Sequence, residues 1–128
     1  MTTTVLYIDD EPMNLTLVRK LLGRFGYTLL EAIDAKTGLQ MALRNRPDVI
    51  LMDMNMPEIG GLEATKIFKE HPDLHFVPII GLTADTSEEL RRQATAAGCE
   101  AHLHKPISRS LLLKTIQQVL DNNLSLAI

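Results

Sequence analysis

Tryptophan is absent from this 128-residue chain, cysteine occurs once, and aromatic residues make up only 4% of it. The single Cys99 cannot close an internal disulfide, and it reads as a small packing residue. No apolar run approaches membrane length, and no charged-then-apolar leader precedes the first apolar segment, so the chain is expected to be cytoplasmic and unprocessed, with no membrane contact. Basic residues are not clustered beyond pairs such as Arg91 and Arg92, and the formal net charge is −3, which argues against nucleic-acid binding. There is no repeat, low-complexity tract or linker. Residues 1–128 are therefore expected to form one domain with no effector domain, and 45% hydrophobic residues suffice for its core.

What is present is a series of short apolar runs that end in polar residues. Val49 to Met52 reads as a strand buried on both faces, and Asp53 stands where it runs out, before Pro57, Gly60 and Gly61 turn the backbone. An aspartate there could equally open a turn or cap a helix. Val5 to Ile8 is a similar run that stops at Asp9, Asp10 and Glu11. Pro12 suits the first turn of a helix carrying Leu17, Val18, Leu21, Leu22 and Phe25 on one face to Gly26, with Leu15 at the far edge. Tyr27 to Ala32 reads as a strand, and Asp34 as the cap of a helix through Leu43 with Leu39 and Ala42 inward.

Gly61 to Glu70 is expected to be a helix with Leu62, Ile67 and Phe68 as its apolar contributors, followed by a polar loop over 71–76. Ile79 to Leu82 is a fourth strand ending at Thr83, and Thr86 with Glu89 forms a capping-box pattern for an alanine-rich helix to about Ala97. Leu90 is the only large apolar residue of that helix, so its docking is expected to be weak. Gly98 ends it. Ala101 to His104 is a short fifth strand, and Lys105-Pro106 leads into a helix from about Ser108 to Asp121 that buries Leu112, Ile116, Val119 and Leu120.

Buried strands alternating with helices imply a doubly wound α/β fold, a five-stranded parallel sheet covered on both faces. Ligands bind such sheets at the carboxyl ends of the strands. Asp9, Asp10, Asp53, Thr83 and Lys105 all fall at that edge. Converging carboxylates repel, and a hard divalent cation that takes oxygen ligands while keeping several waters, Mg²⁺, relieves the repulsion. His102 and His104 lie at strand spacing, but no cysteine or third histidine is near enough in sequence to complete a zinc site. A carboxylate, a metal, a hydroxyl and a lysine suit phosphoryl transfer, with Asp53 as nucleophile, Lys105 neutralising equatorial oxygens and Thr83 donating to one of them.

The segments Ile8-Asp9-Asp10-Glu11-Pro12, Leu51-Met52-Asp53-Met54-Asn55-Met56-Pro57 with Gly60-Gly61-Leu62, Leu82-Thr83-Ala84, and His104-Lys105-Pro106-Ile107, in that order, resemble the receiver domain of bacterial two-component response regulators. The resemblance spans the chain and is greatest to single-domain chemotaxis-type regulators and hybrid-kinase receivers. It implies a flavodoxin-like fold with strand order 2-1-3-4-5. It further implies that Asp53 accepts a phosphoryl group from a phosphohistidine on a histidine kinase or phosphotransfer protein. Asp10, Asp53 and the backbone carbonyl of Asn55 would hold Mg²⁺, with Asp9 acting largely through a bound water. Lys105 would contact the phosphoryl group, and its bond to Pro106 would be cis.

Thr83 would move toward the phosphate and bias a switch over the fourth helix, fifth strand and fifth helix for binding a downstream protein. Three residues before the lysine the family usually carries Tyr or Phe; here it is His102, a switch residue with a titratable ring or else a solvated strand histidine. Met13, Asn14, Leu17, Pro106 and Ile107 border the site as a docking surface for the kinase, and the chain is expected to be a monomer or weak dimer. Three other readings compete, one of them a receiver excised from a longer hybrid kinase. A haloacid-type phosphohydrolase would carry an Asp-x-Asp motif where Asp9-Asp10 stand, and a phosphorylation-independent binding module would have no use for the full acidic set.

Overall fold

The computed structural model describes residues 2–127, with side chains described through 123. Its elements run β1 (Thr4–Ile8), α1 (Pro12–Gly23), β2 (Thr28–Ala32), α2 (Ala35–Asn45), β3 (Val49–Asp53), α3 (Gly61–Glu70), β4 (Ile79–Thr83), α4 (Glu88–Ala97), β5 (Ala101–His104) and α5 (Arg109–Ala127). The strands form one sheet in the order β2-β1-β3-β4-β5, and every pairing is parallel. This is the flavodoxin-like arrangement implied by the resemblance.

Alternation along each strand divides the core in two. Leu6, Ile8, Ile50, Met52 and Ile79 pack against Ala35 and Ala42 of α2, Ala64 and Phe68 of α3, and Ala94 of α4. On the other face Val5, Tyr7, Val49, Leu51, Ile80, Leu82 and Leu103 meet Leu15, Val18 and Leu22 of α1 and Leu112, Ile116 and Val119 of α5. Period-two alternation places Asp9 on the side of Val5 and Tyr7, and Asp53 on the side of Val49 and Leu51. The backbone ladder runs on past the strand ends: Asp9 N donates to Ala32 O, Met54 N to Leu82 O, and Lys105 N to Thr83 O. The residues that follow the strands are thereby held as firmly as the strands.

Several local expectations are corrected. The buried stripe of α1 is Leu15, Val18 and Leu22, while Leu17 and Phe25 are about half exposed. The helix is rotated about its axis from the expected face because Leu15, near its start, is buried in this second core with Val18 and Leu22. It also stops at Gly23, and Phe25 lies under the Arg109 guanidinium, 5.7 Å from the ring centroid. In α3, Ile67 points outward; Gly61, Ala64, Thr65 and Phe68 make the buried face. Residues 71–76 are not wholly polar in role, since Leu74 is buried in the core beside Phe68.

The cap of α4 is Ser87, whose Oγ accepts from Leu90 N at 3.2 Å, and not Thr86. Asp85, two residues before the cap, accepts from Ser87 N at 2.8 Å, which lowers its acid below the ordinary carboxylate range. As expected, α4 is thinly anchored, with Ala94 and Ala97 buried and Leu90 only partly so. In α5 the helix extends past Asp121, and Leu120 is only partly buried. No helix among the described residues is long and apolar enough to cross a membrane.

Candidate functional site

The carboxyl ends of β1 and β3 are neighbours in the sheet, Ile8 pairing with Met52, so the acids that follow them are brought side by side. Asp9, Asp10 and Asp53 each offer a carboxylate oxygen within 4.8 Å of the other two. Asp9 and Asp53 are buried and Asp10 is half-buried. Lys105 reaches across from the end of β5, with Nζ 3.0 Å from Asp53 Oδ1 and 3.4 Å from Asp9 Oδ2. Its bond to Pro106 is cis.

The hydrogen bonds are unevenly shared. Asp53 Oδ1 accepts from Lys105 Nζ and, at 3.2 Å, from Asn55 N, whereas Oδ2 accepts none from the described residues. Asp10 likewise receives no side-chain or backbone donor among them, while Asp9 accepts from Glu11 N, Asn14 Nδ2, Lys105 Nζ and the Tyr7 hydroxyl. Burial pushes the Asp53 carboxyl above its usual range, opposed by the hydrogen bond from Lys105 and reinforced by the charge of Asp9. For Lys105, burial alone would lower the ammonium, but its hydrogen bond and attraction to Asp53, then Asp9, outweigh it and raise it. A lysine so held stays charged, and it leaves the Asp10 carboxylate and Asp53 Oδ2 free for a cation among the described residues. Oxygen-only donors of like charge, partly open to water, fit a hard divalent ion and not a soft one.

Thr83 is buried at the end of β4, its Oγ1 accepting from Asp85 N at 2.9 Å. It lies beside His104 in register and shares a narrow cleft under α4 with Met54, Asp85, Leu90, Arg91 and His102. His102 is not a solvated strand histidine: its Nε2 is buried with no hydrogen-bond partner among the described residues. Burial, then the charge of Arg91, then His104, lower its pKa. A group that resists protonation only when folded makes stability fall as pH drops below its ordinary value of about 6.5, because the unfolded chain gains the proton first. Asp85, also in the cleft, does not reverse that shift. His102→Phe is therefore expected to raise the melting temperature, by about 1 kcal/mol of stability at pH 8 from loss of the orphaned nitrogen. The gain should widen at pH 5.5, and paired thermal melts at the two pH values check both parts.

The other singled-out residues are placed as follows. Met13 is 82% exposed and Leu17 47% exposed on α1. Pro106 is exposed, but Ile107 is partly buried against the α1–α5 core. Asn14 turns inward to Asp9, at 3.2 Å, so its side chain belongs to the acidic site as well as to its rim. Asn55 is exposed. Cys99 is a packing residue against Thr65, and burial pushes its thiol up to about 11. Met52 and Met54 are buried in the core, and Met56 packs on its edge. Tyr7 was not anticipated. A tyrosine two residues before Asp9 on a strand buried on both faces was the available signal, since its hydroxyl must find a partner on that side.

Comparison with known proteins gives a consistent result. Residues 5–117 match the family described as the response regulator receiver domain. The polar-differentiation response regulator DivK of Brucella ovis is 35% identical over 122 residues, covering 95% of this chain and 99% of DivK. Among solved structures, Vibrio cholerae chemotaxis protein CheY4 superposes with a TM-score of 0.89 at 35% identity, covering 93% of this chain and 99% of that one. The receiver domain of the Pseudomonas aeruginosa sensor histidine kinase PA1611, whose structure has a magnesium ion coordinated in its active-site cleft, gives 0.87 at 30% identity over 94% of this chain and 99% of that one.

Proposed function

This chain belongs to the response regulator receiver domain family of two-component signalling, and we propose that it works as a phosphoacceptor switch with Asp53 as the phosphorylated residue. The observation that carries this reading is the division of labour around Asp53: Lys105 and Asn55 N hold Oδ1, and Oδ2 is left without a donor beside the equally free Asp10. Asp10 and Asp53, with the Asn55 carbonyl, would hold Mg²⁺, and Asp9 would act through a bound water because its own oxygens are occupied by protein donors. When bound, the ion would neutralise the phosphoryl oxygens and the carboxylates together.

In the transfer, the Asp53 carboxylate attacks the phosphorus of a phosphohistidine on a histidine kinase or phosphotransfer protein. The P–N bond breaks, and its electron pair stays on the departing imidazole nitrogen, which takes up a proton. Lys105 follows the charge from the carboxylate to the phosphoryl oxygens. Thr83 gives up its hydrogen bond with Asp85 N and donates to the phosphoryl group, drawing the start of α4 with it. His102, whose Nε2 lacks a partner, turns into the cleft that Thr83 vacates, and the α4–β5–α5 face becomes competent for a downstream protein. Met13, Leu17, Pro106 and Ile107, with Asn14 at the rim, form the docking surface for the kinase or phosphotransfer protein. On this reading residues 1–128 act as one cytoplasmic receiver unit, a monomer or weak dimer that catalyses only its own phosphorylation and dephosphorylation.

Intact mass after incubation with Mg²⁺ and acetyl phosphate tests the proposal. One phosphoryl adduct, acid-stable and base-labile, is expected. Absence of an adduct together with absence of Mg²⁺ binding would overturn it in favour of a phosphorylation-independent module.

A further inference from the structure

Asp9 differs from the other two acids in being closed off by the protein. It is fully buried, and its Oδ1 accepts from Glu11 N at 2.9 Å. Its Oδ2 accepts from the Tyr7 hydroxyl at 2.5 Å, Asn14 Nδ2 at 3.2 Å and Lys105 Nζ at 3.4 Å. Asn14 and Lys105 approach from the mouth of the site. Tyr7 approaches from beneath, and its ring is fully buried in the α1–α5 core among residues such as Val18, Leu51 and Ile80. A buried phenol needs an acceptor, and a buried carboxylate oxygen needs donors.

Lys105 sits between two carboxylates, nearer to Asp53 than to Asp9. Which one it favours depends on how well each is satisfied by other donors. Asp9 Oδ2 already has its shortest hydrogen bond from Tyr7, so its pull on the ammonium is weakened and its lone pairs are not offered to a cation. We infer that Tyr7 is a positioning residue of the acidic site: its buried hydroxyl saturates Asp9 Oδ2, which holds that oxygen back from direct cation bonding and leaves Lys105 on Asp53.

This inference rests on the phosphoacceptor reading above for its kinetic consequence, but not for its metal consequence. Tyr7→Phe keeps the ring and its packing and removes only the hydroxyl. Asp9 is then free to bond a cation directly and to draw Lys105 away from Asp53. Titration calorimetry with magnesium chloride is expected to show Mg²⁺ bound about tenfold more tightly by Tyr7→Phe than by the native chain, the scale of one charge-assisted hydrogen bond. At saturating Mg²⁺, adduct formation from acetyl phosphate should be slower by about the same factor.

Asp9→Asn supplies the control that a purely structural role would fail. In that background, Tyr7→Phe should change both quantities less than about twofold, because the carboxylate through which it acts is gone. Unchanged or weaker Mg²⁺ binding by Tyr7→Phe, or an equal loss of rate with and without Asp9, overturns the inference. If the native chain forms no adduct at all, the phosphoacceptor reading falls, and the Mg²⁺ affinities decide the role of Tyr7.

Discussion

Asp53→Asn is expected to take no phosphoryl group from acetyl phosphate or from a phosphorylated histidine protein, with the adduct falling below detection by intact mass. An amide oxygen is too weak a nucleophile to form an acyl phosphate, and neither neighbouring acid is placed to replace it. Asp9 has both oxygens engaged by protein donors, and Asp10 is not held by Lys105. The same substitution is expected to leave the melting temperature at pH 7 no lower than that of the native chain. Burial raises the Asp53 acid, so the folded state binds its proton more tightly than the unfolded state does, and stability is lost as pH rises through that range. An uncharged amide escapes that cost, and Lys105 keeps Asp9 as a partner at 3.4 Å. Loss of phosphorylation without loss of stability separates a group kept for chemistry from one kept for folding. A residual adduct on Asp53→Asn, mapped to another residue, would refute the assignment.

The second large effect is expected at Gly61, the first residue of α3. A β-carbon there would run into the carbonyl oxygen of Asp53 and lie 2.6 Å from Met54 Cα, both backbone atoms that cannot swing aside. Gly61 N also donates to Met54 O at 3.3 Å, so the start of α3 is stapled to the segment immediately after Asp53. Gly61→Ala must push α3 away from the sheet or displace the Asp53–Met54 backbone, at a cost of about 3 kcal/mol or more. In a domain of this size that lowers the melting temperature by roughly 10 °C. Because the displaced backbone carries Asp53, phosphorylation should slow as well, and chemical denaturation combined with adduct kinetics reads both. Gly23→Ala makes a suitable comparison, since nothing lies within 4 Å of its added carbon.

The elements legible from sequence were those whose signal is local and repeated. Continuous apolar runs such as Val49–Met52 and Ile79–Leu82 are strands, and the acids that end them sit at one edge because a parallel sheet aligns all carboxyl ends. What was not legible depended on neighbours. The α1 stripe reads equally well centred on Leu17–Leu21 or on Leu15–Val18–Leu22, and only packing onto the sheet selects the second. Thr86 with Glu89 matches a capping box, yet Ser87 caps α4 because the Asp85 carboxylate takes Ser87 N and sets the chain direction there. His102 is at surface spacing in sequence, but α4 closes over it and leaves Nε2 without a partner.

The same distinction runs through the site. Which residue types reach the carboxyl edge of the sheet, namely Asp9, Asp10, Asp53, Thr83 and Lys105, can be read from the chain alone, because strand ends are marked by where apolar runs stop. How those groups divide their tasks is set by the folded arrangement. Lys105 lies between Asp9 and Asp53, Asn14 and Tyr7 turn to Asp9, and Asp10 and one oxygen of Asp53 are left open. The reason is geometric. Position along a strand follows from a period of two residues, but the partner of a carboxylate is set by distances between strands and helices as far apart as 96 residues, which no local pattern contains.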